Sequence, residues 1–254
     1  RDRNKATTFA ELGADIFDGD ICDENFVRKS LKGVETVILV TGNGPHQLHA
    51  ECLIARESLA CGIKHIVKIS SMEASPDAVA PIPQAHYQIE QCIEATGLTY
   101  TFLRPNFFMQ NLMLFANSIK QSKQFSLPLG KAKTGLIDSD DVGEIVGRIA
   151  SSKATTSSIR ALSGDTLLDF HEVATLMSNQ LGAQVSYQEQ TPEDFNAYLA
   201  KAIPSPWHVN AVSLLFKEIA KGALASTTTD AREILERHPI GVEAFVERHR
   251  YSFV

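Results

Sequence analysis

Apolar positions along this chain follow two rhythms that alternate through its first two-thirds. Continuous apolar runs at residues 35–40 (ETVILV), 65–70 (HIVKIS) and 98–103 read as strands buried on both faces. Helical spacing marks residues 5–12, 23–31, 46–60 and 86–96. Asp23 is placed to cap the second of these helices, and Gly62 and Gly97 end the last two. A short strand is expected at 14–17. Buried strands alternating with helices specify an α/β fold with a doubly wound, mostly parallel sheet.

Past Ser139 the rhythm changes. Ser139 or Asp140 is expected to cap a helix, a strand follows at 158–162, and a helix at 168–181. Residues 185–188 read as extended. Thr191 caps another helix, with Pro192 in its first turn. Pro204 and Pro206 break the chain before a helix through Ala220, and the tail closes with a helix near 242–249. The expected organisation is a doubly wound domain over residues 1–150 and a smaller, mostly helical lobe over 151–254 of the kind that supplies a substrate wall. Trp207 in that lobe is a candidate lid residue, with packing of the lobe on the sheet as the alternative reading.

Composition narrows the function without naming it. The chain has 254 residues, 44% of them hydrophobic and 21% charged, with a net charge of −6. That acidic balance carries no footprint for nucleic acid, and the scattered Lys and Arg argue against an anionic membrane surface. No apolar run approaches the ~20 residues of a membrane span, and no signal peptide is visible. The four cysteines, Cys22, Cys52, Cys61 and Cys92, lack metal-ligand spacing and are expected to be reduced, buried thiols in a cytoplasmic protein. His46 and His49 lack a nearby third ligand, so no metal is expected. The aromatic- and amide-rich loop Pro105-Asn106-Phe107-Phe108-Met109 past the 98–103 strand is a candidate pocket wall for a small hydrophobic or aromatic molecule, and a homodimer is left open.

A doubly wound dinucleotide fold opens with a strand and a Gly-rich turn whose amides hold the pyrophosphate. Nothing here matches: Gly42-Asn43-Gly44 follows a strand, but lacks the third glycine and runs into Pro45. The RDRNKA opening reads as the polar exit of a strand. The expectation is that the first β–α unit, roughly 25–35 residues, precedes this sequence in the natural gene product.

Several segments in order, RDRNKA, GADIFDGDICD, ETVILVTG, GIKHIVKISS, TFLRPNFFMQNL, GLIDSDDVGEIV and PIGVEAFVERH, carry a resemblance. The chain resembles the NmrA-like family of atypical short-chain dehydrogenase/reductases, in particular its NAD(P)H:quinone oxidoreductases and triphenylmethane reductases. The resemblance implies NADP(H) as cofactor, with NAD(H) the lesser option. It places Arg1 against the ribose 2′-phosphate, where a guanidinium pairs bidentately. Asp20 and Ile21 fall near the adenine, and Val40, Thr41 and Gly42 along the cofactor's middle. Ser70 and Ser71 fall beside the nicotinamide, with Ser71 toward substrate, while Pro105, Asn106 and Phe107 wall the ring and its carboxamide. Phe107 is expected to face the pocket and Phe108 the core.

The departure from the pattern is chemical. Typical short-chain dehydrogenases use Tyr-x-x-x-Lys, in which the Lys lowers the Tyr pKa. Here Ile82 and His86 stand at those two positions, and no YxxxK occurs anywhere. Alcohol–ketone chemistry is therefore not expected. His86 is the candidate catalytic residue, as proton donor or ligand orienter, since an unperturbed imidazole with a pKa near ~6.5 serves as an acid at neutral pH. Lys68, inside a strand, is expected to snorkel outward. Asp138, Asp140 and Asp141 sit where capping is expected. The expected function is hydride transfer from NADPH to a quinone or similar conjugated electrophile. The alternative is an NADP-binding redox sensor without turnover.

Overall fold

The computed structural model describes residues 6–152 and 156–254; Arg1, Arg3 and Lys5 lie outside the described residues. The chain begins with α1 (Thr7–Glu11), α2 (Glu24–Ser30), β1 (Thr36–Leu39), α3 (Gln47–Ala60), β2 (His65–Ile69), α4 (Pro81–Glu94) and β3 (Thr99–Pro105). A 3-10 turn at Met109–Phe115 leads into α5 (Ala116–Ser122), β4 (Gln124–Leu127), α6 (Ser139–Ser151) and β5 (Ser158–Leu162). Next come α7 (Phe170–Leu181), β6 (Ser186–Glu189), α8 (Pro192–Ala202) and α9 (Pro206–Ala220). The chain closes with α10 (Asp230–Leu235), α11 (Val242–Arg248) and α12 (Arg250–Phe253).

Four strands form a parallel sheet in the order β1-β2-β3-β5. Alternation along each strand sends neighbours to opposite faces. Ile66 and Phe102 therefore pack with Leu53 and Ile54 of α3 and Ile89 and Ile93 of α4. Val67 and Leu103 pack on the other face with Val142 and Ile145 of α6 and Leu235 of α10. This is the doubly wound arrangement, helices on both faces of a parallel sheet.

Residues 14–17, expected as a strand, carry no strand assignment, and Ile16 and Phe17 are 40% and 50% exposed. A parallel strand is held only by a neighbour's ladder, and no described strand pairs with this segment. Helix α4 begins at Pro81, earlier than the expected start at 86, because Pro81 and Pro83 fall in the first turn, where no amide is needed. Asp138, rather than Ser139 or Asp140, caps α6, its carboxylate accepting from the Asp140 amide at 3.0 Å.

Beyond the sheet lies a second unit. β4 and β6 pair in parallel, matching Phe125 with Tyr187, and the cluster around Phe125, Phe170, Val173 and Phe245 forms its core. The lobe is thus helical with a small sheet of its own. The strand Ser158–Leu162, on the far side of the division expected at residue 150, pairs with β3 in the main sheet.

The cysteine expectation is overturned for two of the four residues, while Cys22 and Cys61 are thiols. Cys52 on α3 and Cys92 on α4 form a disulfide with a Cα–Cα distance of 5.5 Å. The two helices lie side by side on one face of the sheet, so residues 40 apart in sequence meet, which spacing along the chain cannot reveal. Cross-linking a loop of this length restricts the unfolded chain and is worth about 2–4 kcal/mol. Adding reductant is expected to lower the chemical denaturation free energy by that amount, with Cys52→Ala insensitive to reductant; equal stability under both conditions would contradict the cross-link.

Candidate functional site

The carboxyl ends of β1, β2 and β3 open into a cavity of about 520 Å³, roofed by α8 and α9 of the lobe and walled on one side by α4. Ligands in open α/β sheets sit beyond the carboxyl ends of the strands, and this cavity stands there. Val40 and Thr41 come from the end of β1, Ser70 and Ser71 from the end of β2, and Pro105, Asn106 and Phe107 from the end of β3. Ile82 and His86, one turn apart on α4, line it together.

Of the residues expected at the site, Gly42 and Trp207 are not among those lining the cavity. Trp207 stands edge-on to His208, ring centroids 4.9 Å apart. His208 Nε2 donates to the Asn43 carbonyl at 2.7 Å, tying the start of α9 to the chain just past β1. Asp20 and Ile21 lie in an exposed turn, where Asp20 Oδ1 accepts from the Cys22 amide at 2.9 Å. Arg1 lies outside the described residues.

Phe107 is 5% exposed and meets Phe170 and Phe216 edge to face, with ring centroids 5.5 Å and 6.0 Å apart. Phe108 also borders the cavity while packing against the core beneath α6. Asn106 lines the cavity too, but its amide is occupied by the protein. Its Nδ2 donates to the Leu224 and Ser226 carbonyls at 3.1 and 3.2 Å, and its Oδ1 accepts from the Phe107 amide at 2.7 Å. It fixes the β3 exit to the far end of the lobe, which leaves little of the amide to meet a carboxamide.

A charged layer lies under the cavity. Lys68 does not snorkel: it is fully buried and pairs with the equally buried Glu51 of α3 at 2.6 Å. Alternation puts Lys68 on the same face of β2 as Ile66, which is the α3 face. Glu51 also accepts from Gln47 at 3.0 Å and from the Thr41 hydroxyl. Burial pushes the Lys68 ammonium below its ordinary range, against the pull of Glu51 and Glu90. Glu90 is in turn held by the Arg104 guanidinium.

His86 is corrected in character. The residue is 7% exposed, and burial, reinforced by the charge of Lys68, lowers its pKa to about 3. The imidazole is therefore neutral at physiological pH and does not act as the cationic acid expected from the sequence. Because the folded-state pKa lies below the ordinary value, the folded chain binds fewer protons. The stability this confers is full above about pH 6.5 and is lost as pH falls toward 3, by roughly 1.4 kcal/mol per pH unit. In urea titrations from neutral pH to about pH 4, His86→Gln is expected to flatten this slope; an unchanged slope would show that His86 is not the group responsible.

Two buried polar atoms in the cavity wall, Ser70 Oγ and His86 Nδ1, have no hydrogen-bond partner among the described residues. Buried polar groups are rarely left unpaired, so a bound polar group is the natural partner for both. Glu73 also borders the cavity, accepting from the Ser71 hydroxyl, and burial raises its carboxyl above the usual carboxylate range. The sequence reading missed Glu73, which belongs to no motif. Its only signal was its position just past the end of β2.

The NmrA-like family pattern matches residues 1–246. The NAD(P)H azoreductase of Xenophilus azovorans is 28% identical over 193 residues, 76% of this chain and 68% of that protein. A NADPH-dependent quinone oxidoreductase from Escherichia coli, solved with NADPH, superposes with a TM-score of 0.87 at 22% identity, covering 99% of this chain and 88% of that one. The Citrobacter triphenylmethane reductase complexed with NADP(H) superposes with a TM-score of 0.86 at 18% identity, covering 98% and 88%. The two structures establish the shared fold; the match along nearly the whole sequence establishes that the chain belongs to the NmrA-like family.

Proposed function

We propose that this chain is an NADPH-dependent reductase whose acceptor is a flat, conjugated electrophile such as a quinone or a dye. The observation that carries the reading is the cavity itself, at the carboxyl ends of three parallel strands, with apolar walls and two unpaired polar atoms. Family membership and the relatives named for reducing azo compounds, quinones and triphenylmethanes support the same class.

The nicotinamide, when bound, supplies a hydride. Ser70 Oγ and the neutral His86 ring fit the polar edge of that group, giving it hydrogen bonds that the protein leaves open. Val40, Thr41 and Pro105 border the space it would fill. Phe107, Phe195 and Phe216 offer ring faces and edges to an aromatic acceptor, which favours flat π-systems. The lobe helices α8 and α9 cover the cavity, which brings charge developing on the acceptor against protein dipoles. The absence of a Tyr–Lys dyad suits acceptors that take hydride without strong acid assistance.

The test is a panel of quinones, azo dyes and triphenylmethane dyes offered with NADPH and with NADH. Acceptor-dependent consumption of NADPH, weaker with NADH, is expected. Binding of NADPH without consumption across the whole panel would replace the reductase reading with that of a dinucleotide sensor.

A further inference from the structure

Hydride transfer to a neutral acceptor leaves a negative charge that must be met by a proton. Among the described residues, three that border the cavity carry titratable side chains: Glu73, His86 and Tyr198. Burial lowers the His86 pKa to about 3, so at neutral pH its ring carries no acidic imidazolium proton to give. Tyr198 stands on α8 at the outer side, 45% exposed. Lys68 lies behind the wall, paired with Glu51. Glu73 differs from all of these. It follows directly on the end of β2, two residues past Ser71 and three past Ser70, beside the place where the unpaired polar atoms sit. The Ser71 hydroxyl donates to one of its oxygens, Oε2, which holds the carboxyl in place and leaves the other oxygen to carry a proton.

We propose that Glu73 is the proton donor that completes reduction of neutral acceptors, oriented by Ser71. The inference rests on the reductase reading above. When hydride adds to one end of a quinone or azo system, its two electrons end as an anion on the acceptor's oxygen or nitrogen. The Glu73 O–H bond then breaks, the proton passes to that heteroatom, and the Glu73 carboxylate left behind is reprotonated from water. No further reductant is needed. The environment favours the acid form: desolvation is the dominant influence on Glu73, outweighing the Ser71 hydrogen bond.

The chemistry supplies its own control. A cationic triphenylmethane dye becomes neutral on accepting hydride and needs no proton, whereas a quinone or azo compound does. Glu73→Gln keeps the size and the acceptor for Ser71 but has no proton to give. It is expected to slow quinone and azo reduction about 10²-fold or more, the usual worth of a positioned acid. Reduction of the cationic dye should fall far less. In the unaltered protein the quinone rate is expected to decline as pH rises through the Glu73 pKa, and this limb should vanish in Glu73→Gln. A readout independent of turnover is the infrared carbonyl band of the protonated Glu73 carboxyl, which should persist to higher pH than that of an ordinary carboxyl and be absent in Glu73→Gln. Equal slowing of dye and quinone, or no such band, would overturn the role of Glu73 while leaving the reductase reading intact. Failure of the unaltered protein to reduce any acceptor, with the band present, would overturn the reductase reading instead.

Discussion

Replacing Lys68 by Met is expected to cost the protein about 3–5 kcal/mol of folding stability. The ammonium is fully buried and faces a fully buried Glu51 at 2.6 Å. Removing the cation leaves a carboxylate under the sheet with only Gln47 and Thr41 to satisfy it. Glu51→Gln alone should cost less, since an amide needs no counter-charge, but it strands the ammonium in turn. The double variant Lys68→Met, Glu51→Gln should recover a large part of the sum, because neither charge is then unpaired. Equilibrium denaturation of the four proteins measures that coupling; simple additivity would mean that the two groups do not interact. Lys68→Met should also raise the His86 pKa, since the Lys68 charge is one of its two depressing influences. Burial is the larger influence and remains.

The second large effect concerns Asn106. Asn106→Leu removes the donors to the Leu224 and Ser226 carbonyls and the acceptor for the Phe107 amide in a site only 3% exposed. Unsatisfied buried groups cost roughly 1–3 kcal/mol each, and a loss of about 3–5 kcal/mol in total is expected. The β3 exit would also lose its tie to the lobe, so acceptor KM should rise as the Phe107 ring loses its fixed place. A loss under about 1 kcal/mol would mean that water replaces all three bonds and that Asn106 is not the tie.

Much of this fold is legible from hydrophobic rhythm. β1, β2 and β3 are runs of apolar residues that only a sheet covered on both faces can bury, and the helices between them stop ahead of Gly62 and Gly97, both at positive φ. Asp23, Asp169 and Thr191 cap helices by ordinary side-chain acceptance, the second in a full capping box. The small sheet was half hidden. β4 has four residues, and its partner β6 lies some sixty positions away, so no local pattern announces the pairing. The strand expected at 14–17 has the right composition, but a strand exists only where another is beside it.

The site was legible as a place more than as chemistry. Strand ends at Val40, Ser70 and Pro105, and the His86 face of α4, converge as the order of elements implies. What those residues do depends on partners far away in sequence. Lys68 reads as an outward lysine until Glu51, on the helix above it, is seen. His86 reads as an acid at neutral pH until its burial and the nearby Lys68 charge are known. Asn106 reads as a ligand contact until its amide is found bonded to residues 224 and 226. Glu73 has no motif at all, and only its desolvation and its contact with Ser71 set it apart.

In the proposed reductase, the cavity between β1, β2, β3 and the lobe brings a reduced nicotinamide against a flat acceptor. The most direct measurement uses NADPH carrying deuterium at C4 and a cationic triphenylmethane dye, whose central carbon keeps whatever hydrogen it receives. Deuterium is expected in the reduced dye, from one face of the nicotinamide only, with a slower rate than for unlabelled NADPH. Reduced dye without label, or bound NADPH that is never consumed, would contradict the account.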